Sequence, residues 1–511
     1  MRAQAWRAVE LVLDAELDHA SPYLDVEVWA EFRHDTGAVL RRPAFWDGGR
    51  TWRVRFASPL ASGRWTWRSA ASVSDAGLAG VTGAIDIAPG PARTAFDEHG
   101  FWRMSPGGRN LVHADGTPAL LVADTAWALP WRATEEQVRT YAADRSGKGF
   151  NAALLMSVQP DMGVAGPRDR TADEGFAVAF EDLPDGRLER LDPAYFQYFD
   201  RLVSVLVEHG IAPVLQPVFH GFGWKGKRTA GPVVPPADYA RYCRYLVARY
   251  GARPAVYLVG ADGAGTEPQI AAGGAEVQEW DAYGQPTGIH YRPHADNRAS
   301  QDAGWLDFQW CQTGHSGTHV PERVADMWRN EPVRAVANGE PTYEHGGRRG
   351  KAEGWWQGHE AWSNLCAGGT MGVVYGAGSL WQWVLHPDEP GQAPQFTAEG
   401  AGWREALDFE GSTYVGLVGR ILAGLPITDM RPDWQSTLCP RGLSVPGLLY
   451  IGYAEHGGPL RIFDGENLPR HYRVIDPLTG TVLDEGERAD PADPVPAEYG
   501  APLVYVLHDG E

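Results

Sequence analysis

Two carboxylates stand out in the sequence because each one closes a short, strongly apolar segment. Asp262 follows the segment 255–261, and Glu340 follows the segment 333–339. Two carboxyl groups about 5–5.5 Å apart can hydrolyse a glycosidic bond with retention of configuration, one as nucleophile and the other as acid and then base. The simpler readings are a loop-capping aspartate and a surface glutamate. We favour the chemical interpretation, because both residues end predicted strands.

Further polar and aromatic residues lie at or near the ends of predicted strands. They are carboxylate, amide, imidazole and aromatic side chains with almost no Lys or Ser, which argues against a phosphate site or a serine triad. Hydrogen-bonding groups beside aromatic faces suit a polyhydroxylated ligand. Asp124 has the alternative role of a helix cap, and His220 that of a structural residue. The candidate substrate-binding residues are Asp124, Trp127, Gln216, His220, Trp224, His315, Tyr343, Trp381, Gln382 and Trp383.

His315 and His319 have a spacing that a metal site could use. The Ser-Gly-Thr sequence between them indicates a loop, and the sequence offers no convincing third ligand. We therefore expect no metal and no other cofactor. The expected role of His315 is a hydrogen bond to the sugar or to the nucleophile.

The elements that position these residues are short apolar segments that alternate with helical stretches between about residues 100 and 425. Eight such units predict an α/β fold of the (β/α)8 TIM-barrel type, whose active site lies at the C-terminal ends of the strands. Thr134 and Asp192 have the spacing of helix N-caps. A doubly wound sheet is the alternative, but no Gly-rich fingerprint follows the first strand. The expected strands are 119–124, 151–158, 212–219, 255–262, 288–293, 306–315, 333–341 and 371–376.

The two ends of the chain have a different pattern from the middle. Short alternating segments separated by turn residues predict a β-sandwich before residue 90, and short strands return after about residue 430. We therefore expect an N-terminal β-sandwich domain at 1–92, a catalytic barrel at 93–428 and a C-terminal β-sandwich domain at 429–511.

Composition narrows the function further. The chain has 511 residues, a net charge of −20 and 21 Trp, which disfavours nucleic acid and favours a small carbohydrate as the partner. No apolar run reaches the length of a membrane span, so no membrane association is expected. The first residues lack a secretory pattern, so the expected location is cytoplasmic, with four free cysteine thiols. The sequence predicts no particular oligomeric state.

Several segments together resemble one known family. The run 116–127, GTPALLVADTAW, resembles the opening of the apiosidase-like catalytic domain, the barrel of glycoside hydrolase family 140 and its relatives. The N-terminal segments 45–48 and 52–56 resemble a sandwich often fused to such barrels, and 472–480 resembles a collagen-binding-type sandwich. Further matches in the expected order are 149–151, 259–262, 312–315, 339–344, 375–377 and 381–382.

The resemblance implies a retaining exo-glycosidase with Asp262 as acid/base and Glu340 as nucleophile. It favours a terminal furanose, such as apiose or arabinofuranose, as the sugar released. Ala261 stands where the family usually has Gly, and Thr313 stands where it usually has Ser. Two alternatives remain: a non-catalytic carbohydrate-binding protein, and a polysaccharide lyase, which would need a basic pocket.

Overall fold

The computed structural model describes residues 1–160, 162, 178–221, 229–293, 295, 297–314, 321–346, 354–389, 396–439 and 441–509. The described chain forms an N-terminal sheet, a central parallel barrel and a C-terminal sheet. This arrangement confirms the predicted fold class. The exact domain limits 1–92, 93–428 and 429–511 stay a prediction.

The N-terminal sheet is a sandwich because it folds over on itself. Its strand order is β1-β7-β6-β3-β4-β5-β2. The first part of β4, residues 39–43, pairs with β3, and the last part, residues 44–46, pairs with β5. The rings of Phe32 and Phe56 therefore stack 4.1 Å apart although their strands are not neighbours in the sheet. The elements are β1 (Arg2–Ala3), β2 (Val9–Asp14), α1 (Pro22–Asp25), β3 (Val28–His34), β4 (Val39–Trp46), β5 (Thr51–Phe56), β6 (Gly63–Ala71) and β7 (Thr82–Ile87).

Eight parallel strands form the barrel, and all eight lie where the sequence predicts them. Neighbouring strands pair in parallel from β11 to β17, and β18 pairs with β11. The amide of Met371 donates to the carbonyl of Val336 at 3.1 Å, which joins the region just before β18 to β17 and closes the ring. The strands are β11 (Leu121–Thr125), β12 (Ala152–Met156), β13 (Ala212–Gln216), β14 (Val256–Gly263), β15 (Thr287–Tyr291), β16 (Phe308–Gln312), β17 (Ala335–Glu340) and β18 (Gly372–Tyr375).

The helices surround the barrel, and their starts follow the capping residues in the sequence. Thr134 and Gln137 form a complete capping box, and the Asp192 carboxylate accepts from the amide of Ala194. A three-stranded antiparallel sheet, β8 (Trp102–Met104), β9 (Leu111–His113) and β10 (Pro118–Ala119), precedes the first barrel strand. The helices are α2 (Ala95–His99), α3 (Leu129–Arg132), α4 (Glu135–Lys148), α5 (Pro193–Glu208), α6 (Pro236–Tyr250), α7 (Pro268–Trp280), α8 (Pro321–Trp328), α9 (Trp355–Cys366) and α10 (Glu410–Leu422).

The C-terminal sheet is antiparallel and packs against helix α9. The ring of Tyr453 lies nearly parallel to that of Trp362 at 6.4 Å, and its hydroxyl is 2.8 Å from Nδ1 of His359. All four cysteines are buried free thiols, as predicted. No described helix combines the length and the apolar character needed to cross a bilayer. The strands are β19 (Arg431–Pro432), β20 (Gly442–Val445), β21 (Leu449–Ala454), β22 (His471–Ile475), β23 (Val482–Glu487) and β24 (Leu503–Leu507).

A buried ionic cluster joins the N-terminal sandwich to the barrel. Asp200 on α5 accepts from Arg55 of β5 at 2.5 Å and from Arg249 of α6 at 2.8 Å. Burial alone would raise the pKa of Asp200, but Arg249 and Arg55 outweigh it and hold the pKa well below its usual range. The carboxylate is therefore charged at neutral pH, and it is shared by two arginines from different domains, which also pair with Glu10 and Asp47.

We predict that Asp200→Asn lowers the free energy of unfolding by about 1–3 kcal/mol, because it removes the charged acceptor that two buried guanidinium groups share, while Glu10 and Asp47 remain as partners. Chemical denaturation followed by fluorescence measures this loss. Asp18→Asn is the matched control, because Asp18 pairs with Arg50 on the surface and its side chain is 82% exposed. Equal stability of the two variants would contradict the role given to the cluster.

Candidate active site

Asp262 and Glu340 lie at the same end of the barrel, at or near the C-termini of β14 and β17. Strand β14 reaches this point irregularly, since its pairing with β15 shifts register twice, between Leu258 and Gly260 and between Ala261 and Gly263. Asp262 itself has φ +56°, a left-handed conformation that is uncommon for a non-glycine residue. Such local strain is typical of functional sites, where the surrounding structure holds a side chain in a required direction.

The two carboxylates face each other across the ring of His290, which belongs to β15. Nδ1 of His290 is 3.5 Å from Oδ1 of Asp262, and Nε2 is 3.4 Å from Oε2 of Glu340. One oxygen from each carboxylate and one ring nitrogen lie within 4.8 Å of one another. Retaining glycosidases need about 5–5.5 Å between their carboxyl groups and inverting ones about 6.5–9.5 Å. The observed spacing between ligand atoms is closer to the first of these distances.

The site keeps part of each carboxylate accessible in a largely buried setting. The side chains of Asp262, Glu340 and His290 are 18%, 14% and 3% exposed. Burial and then the charge of Glu340 raise the pKa of Asp262 well above its usual range, although a hydrogen bond from Gln312 opposes the shift. That bond runs from Nε2 of Gln312 to Oδ1 at 2.5 Å. A carboxyl with a raised pKa can act as a general acid near neutral pH.

His290 is the central residue that the sequence analysis missed. It lies inside a predicted strand, and burial lowers its pKa although the charge of Glu340 opposes the shift. Its Nδ1 is 3.0 Å from Nε2 of Gln216, whose Oε1 accepts from the indole N–H of Trp127 at 3.1 Å. The sequence offered one clue, a lone histidine in a predicted barrel strand. In the structure its neighbour Ile289 packs in the core outside the barrel, so His290 faces the barrel interior. Side chains on alternate positions of a barrel strand face inward.

Aromatic rings form one wall of the mouth. Trp127 lies 5.6 Å from Trp381 and 5.3 Å from Phe219, and Tyr343 lies 5.9 Å from Trp381. Gly376 permits the Tyr343 position, since a Cβ at residue 376 would be 2.2 Å from Cδ1 of that ring. Trp127, Tyr343 and Trp381 are thus the predicted binding residues that the fold gathers beside the carboxylate pair. Gln216 lies beside them, but it is buried and its amide is used by Trp127 and His290.

Asp124 does not face the mouth. It is fully buried, and Nε of Arg145 donates to its Oδ2 at 2.6 Å. A direct contact with substrate is incompatible with this position, so the predicted substrate role of Asp124 is wrong, and the helix-cap alternative is replaced by an ion pair. Burial raises the pKa of Asp124 even though the charge of Arg145 opposes the shift.

Three other predicted contacts are also buried in the structure. Trp383 stacks on Trp403 at 5.2 Å and donates its N–H to Gln137, so it is a core residue and not a sugar platform. Gln382 donates to the carbonyl of Gly378 and to the hydroxyl of Thr397. His220 is only 1% exposed and lies 5.6 Å from Tyr239, which matches its structural alternative. Trp224 and His315 lie outside the described residues.

Asp262, His290 and Glu340 are also the described residues that could offer ligand atoms to a metal ion. A tetrahedral ion with ligands at about 2.1 Å needs ligand atoms roughly 3.4 Å apart. His290 turns a different nitrogen toward each carboxylate, so one ion cannot use both of these contacts. The three side chains therefore lie close together without forming one common coordination site.

A barrel with paired carboxylates at its mouth is the architecture of a glycoside hydrolase. Residues 105–429 match the family model of the apiosidase-like catalytic domain, and residues 2–72 match a domain of unknown function, DUF5060. A search of curated proteins finds no match. The chain belongs to the apiosidase-like catalytic domain family and is a glycoside hydrolase that acts on carbohydrate.

Solved structures share the fold at low sequence identity. A Bacteroides vulgatus ATCC 8482 protein, provisionally assigned as a glycoside hydrolase, has TM-score 0.71 and 18% identity, with 99% of each chain covered. A family 5 glycoside hydrolase from the same organism has TM-score 0.67 and 17% identity, covering 82% of this chain and 95% of its own. Another glycoside hydrolase has TM-score 0.66 and 18% identity, covering 82% and 99%.

We predict that Glu340→Gln lowers the pKa of Asp262, because the substitution removes the negative charge that disfavours ionisation of Asp262. Carbon-13 NMR of carboxyl-labelled aspartate measures the change, with Asp262→Asn assigning the signal. Asp307 is an internal control. Its pKa is raised, mainly by burial, to about 6, and it lies at the opposite end of the barrel, before β16. An unchanged Asp262 titration would show that the two carboxylates are not coupled.

Proposed function

We propose that this enzyme is a retaining exo-glycosidase, with Glu340 as nucleophile and Asp262 as acid/base. The observation that carries the proposal is the close approach of two partly exposed carboxylates, of which Asp262 has the raised pKa. The pair therefore contains one group suited to carry a proton and a second suited to attack as an anion.

In the first step the Glu340 carboxylate attacks the anomeric carbon and forms a glycosyl ester. The bond between that carbon and the leaving oxygen breaks, and the proton of Asp262 moves to the leaving oxygen. In the second step the Asp262 carboxylate accepts a proton from water, and the water oxygen attacks the anomeric carbon. The ester bond then breaks, which restores the Glu340 carboxylate and releases a sugar of retained configuration.

The proposed substrate is the terminal furanose of an oligosaccharide or glycoside, with apiose or arabinofuranose favoured. The family description supports a sugar of this kind, since the matched domain is described as apiosidase-like. The aromatic wall of Trp127, Tyr343 and Trp381 supplies faces against which the C–H groups of a small ring can pack. The polar rim needed for hydroxyl groups comes from the carboxylates and Gln312.

Two variants test the assignment of roles. Glu340→Gln should abolish turnover on aryl furanosides, because no glycosyl ester can form. Asp262→Asn should slow substrates with poor leaving groups by about 10²–10⁴-fold, and a dinitrophenyl leaving group much less, because that leaving group needs no proton. Stopped-flow assays over both substrate types measure the difference. Asp484→Asn and Glu485→Gln on the exposed strand β23 are matched controls.

The same assay distinguishes the other function classes. Wild-type turnover in both active-site variants would overturn the assignment. Sugar binding without hydrolysis across a panel of furanosides and pyranosides would indicate a carbohydrate-binding protein. An unsaturated sugar product would indicate a lyase.

Proton NMR of the first product provides a separate prediction. We expect the anomer released initially to have the configuration of the substrate, because two displacements at one carbon restore it. Initial release of the opposite anomer would contradict a covalent role for Glu340 and indicate direct attack by water.

A further inference from the structure

His290 faces Asp262 with Nδ1 and Glu340 with Nε2. Because only one of these nitrogens carries a proton in a neutral imidazole, the two carboxylates face different groups. We propose that the hydrogen-bond chain Trp127–Gln216–His290 fixes His290 as a neutral imidazole with its proton on Nε2, and so makes Glu340 the anion and Asp262 the acid. The inference rests on the proposed function of that pair. The three members are positioning residues, since they act through the carboxylates.

The hydrogen-bond chain begins at an indole nitrogen, which can act only as a donor. The indole N–H of Trp127 can only donate, and it lies 3.1 Å from Oε1 of Gln216. This contact fixes the orientation of the Gln216 amide, because the opposite orientation would set two donors against each other. Nε2 of Gln216 must then face Nδ1 of His290, at 3.0 Å. Both ends of the amide are buried and used.

The orientation of the amide determines the tautomer of His290. Nδ1 must accept from Gln216, so the single ring proton lies on Nε2. An imidazolium would place a second proton on Nδ1, directly against the donor of Gln216. Nε2 makes no hydrogen bond to the described residues, and Oε2 of Glu340 lies 3.4 Å away. This distance is long for a hydrogen bond, and such contacts often tighten when substrate binds.

The result is an asymmetric environment for two similar groups. The charged groups that face the imidazole are Asp262 from β14 and Glu340 from β17. The N–H of Nε2 lies on the side of Glu340, and tightening of this 3.4 Å contact into a hydrogen bond favours the ionised form of that carboxylate. Asp262 faces a nitrogen whose lone pair is already engaged, so the imidazole gives its carboxylate no such support. The donor of Gln312 is the contact that holds the Asp262 side chain.

Nitrogen-15 NMR of histidine-labelled protein tests the tautomer directly and needs no substrate. We expect His290 to show a protonated Nε2 and an unprotonated Nδ1 throughout the pH range of activity. The signals are assigned by their loss in His290→Gln. A proton on Nδ1, or an imidazolium at neutral pH, would overturn the proposal.

Gln216→Glu tests the consequence. A carboxylate at this position still accepts from Trp127, and it favours a second ring proton, taken up from solvent onto Nδ1 and donated to the carboxylate in a hydrogen bond. His290 then becomes an imidazolium facing both carboxylates. We expect the alkaline limb of kcat/KM to move down by about one pH unit, because the positive charge lowers the pKa of Asp262. Gln278→Glu, the same substitution on the exposed face of α7, should keep the wild-type profile.

An unchanged profile in a folded Gln216→Glu variant, as judged by circular dichroism, would overturn the proposal. If that variant does not fold, the nitrogen-15 measurement on the wild-type protein still decides. Failure of the proposed function is recognised separately, because full turnover in Glu340→Gln and Asp262→Asn would reject it whatever the tautomer of His290.

Discussion

Two carboxyl groups share a small, poorly hydrated space at the mouth of the barrel, and both cannot be charged there at low cost. Burial and the charge of Glu340 raise the pKa of Asp262, so the space favours one proton shared between two groups. The proposed roles of Asp262 as acid and Glu340 as nucleophile depend on this imbalance. The arrangement is useful only while the separation stays fixed, since closer groups would repel more strongly and distant ones would titrate independently.

The barrel holds that separation by means that lie outside the site. Strand β14 changes register at Asp262, which adopts a left-handed conformation, and Gln312 of β16 holds its carboxylate by a hydrogen bond. Beneath the pair, the barrel interior is packed with apolar residues such as Leu154, Leu258 and Trp310. Behind the barrel, Asp200 joins two helices to the N-terminal sandwich through two arginines. A rigid scaffold of this kind fixes catalytic groups more precisely than a loop can.

Several aromatic and amide side chains near the mouth take part in internal contacts of the protein. Trp127 contributes a ring to the wall and a donor to Gln216, while Trp383 serves the core alone. The reason is that a buried polar atom without a partner costs about 1–3 kcal/mol, so amides and indoles near a site are held in internal networks. The residues left to contact a ligand are those that retain accessible surface beside the carboxylates.

The sequence alone determined the parallel barrel, its flanking sandwiches and the two carboxylates at strand ends, because hydrophobic periodicity and strand termini are local properties of the chain. It did not reveal the role of His290, the burial of Asp124 by Arg145 or the stacking of Trp383 on Trp403. Gln216 and His290 are 74 residues apart, and they meet only because their strands both flank β14 in a closed barrel. Tertiary structure decides such contacts, since strand pairing and closure set which inward side chains reach one another and which are sealed in the core.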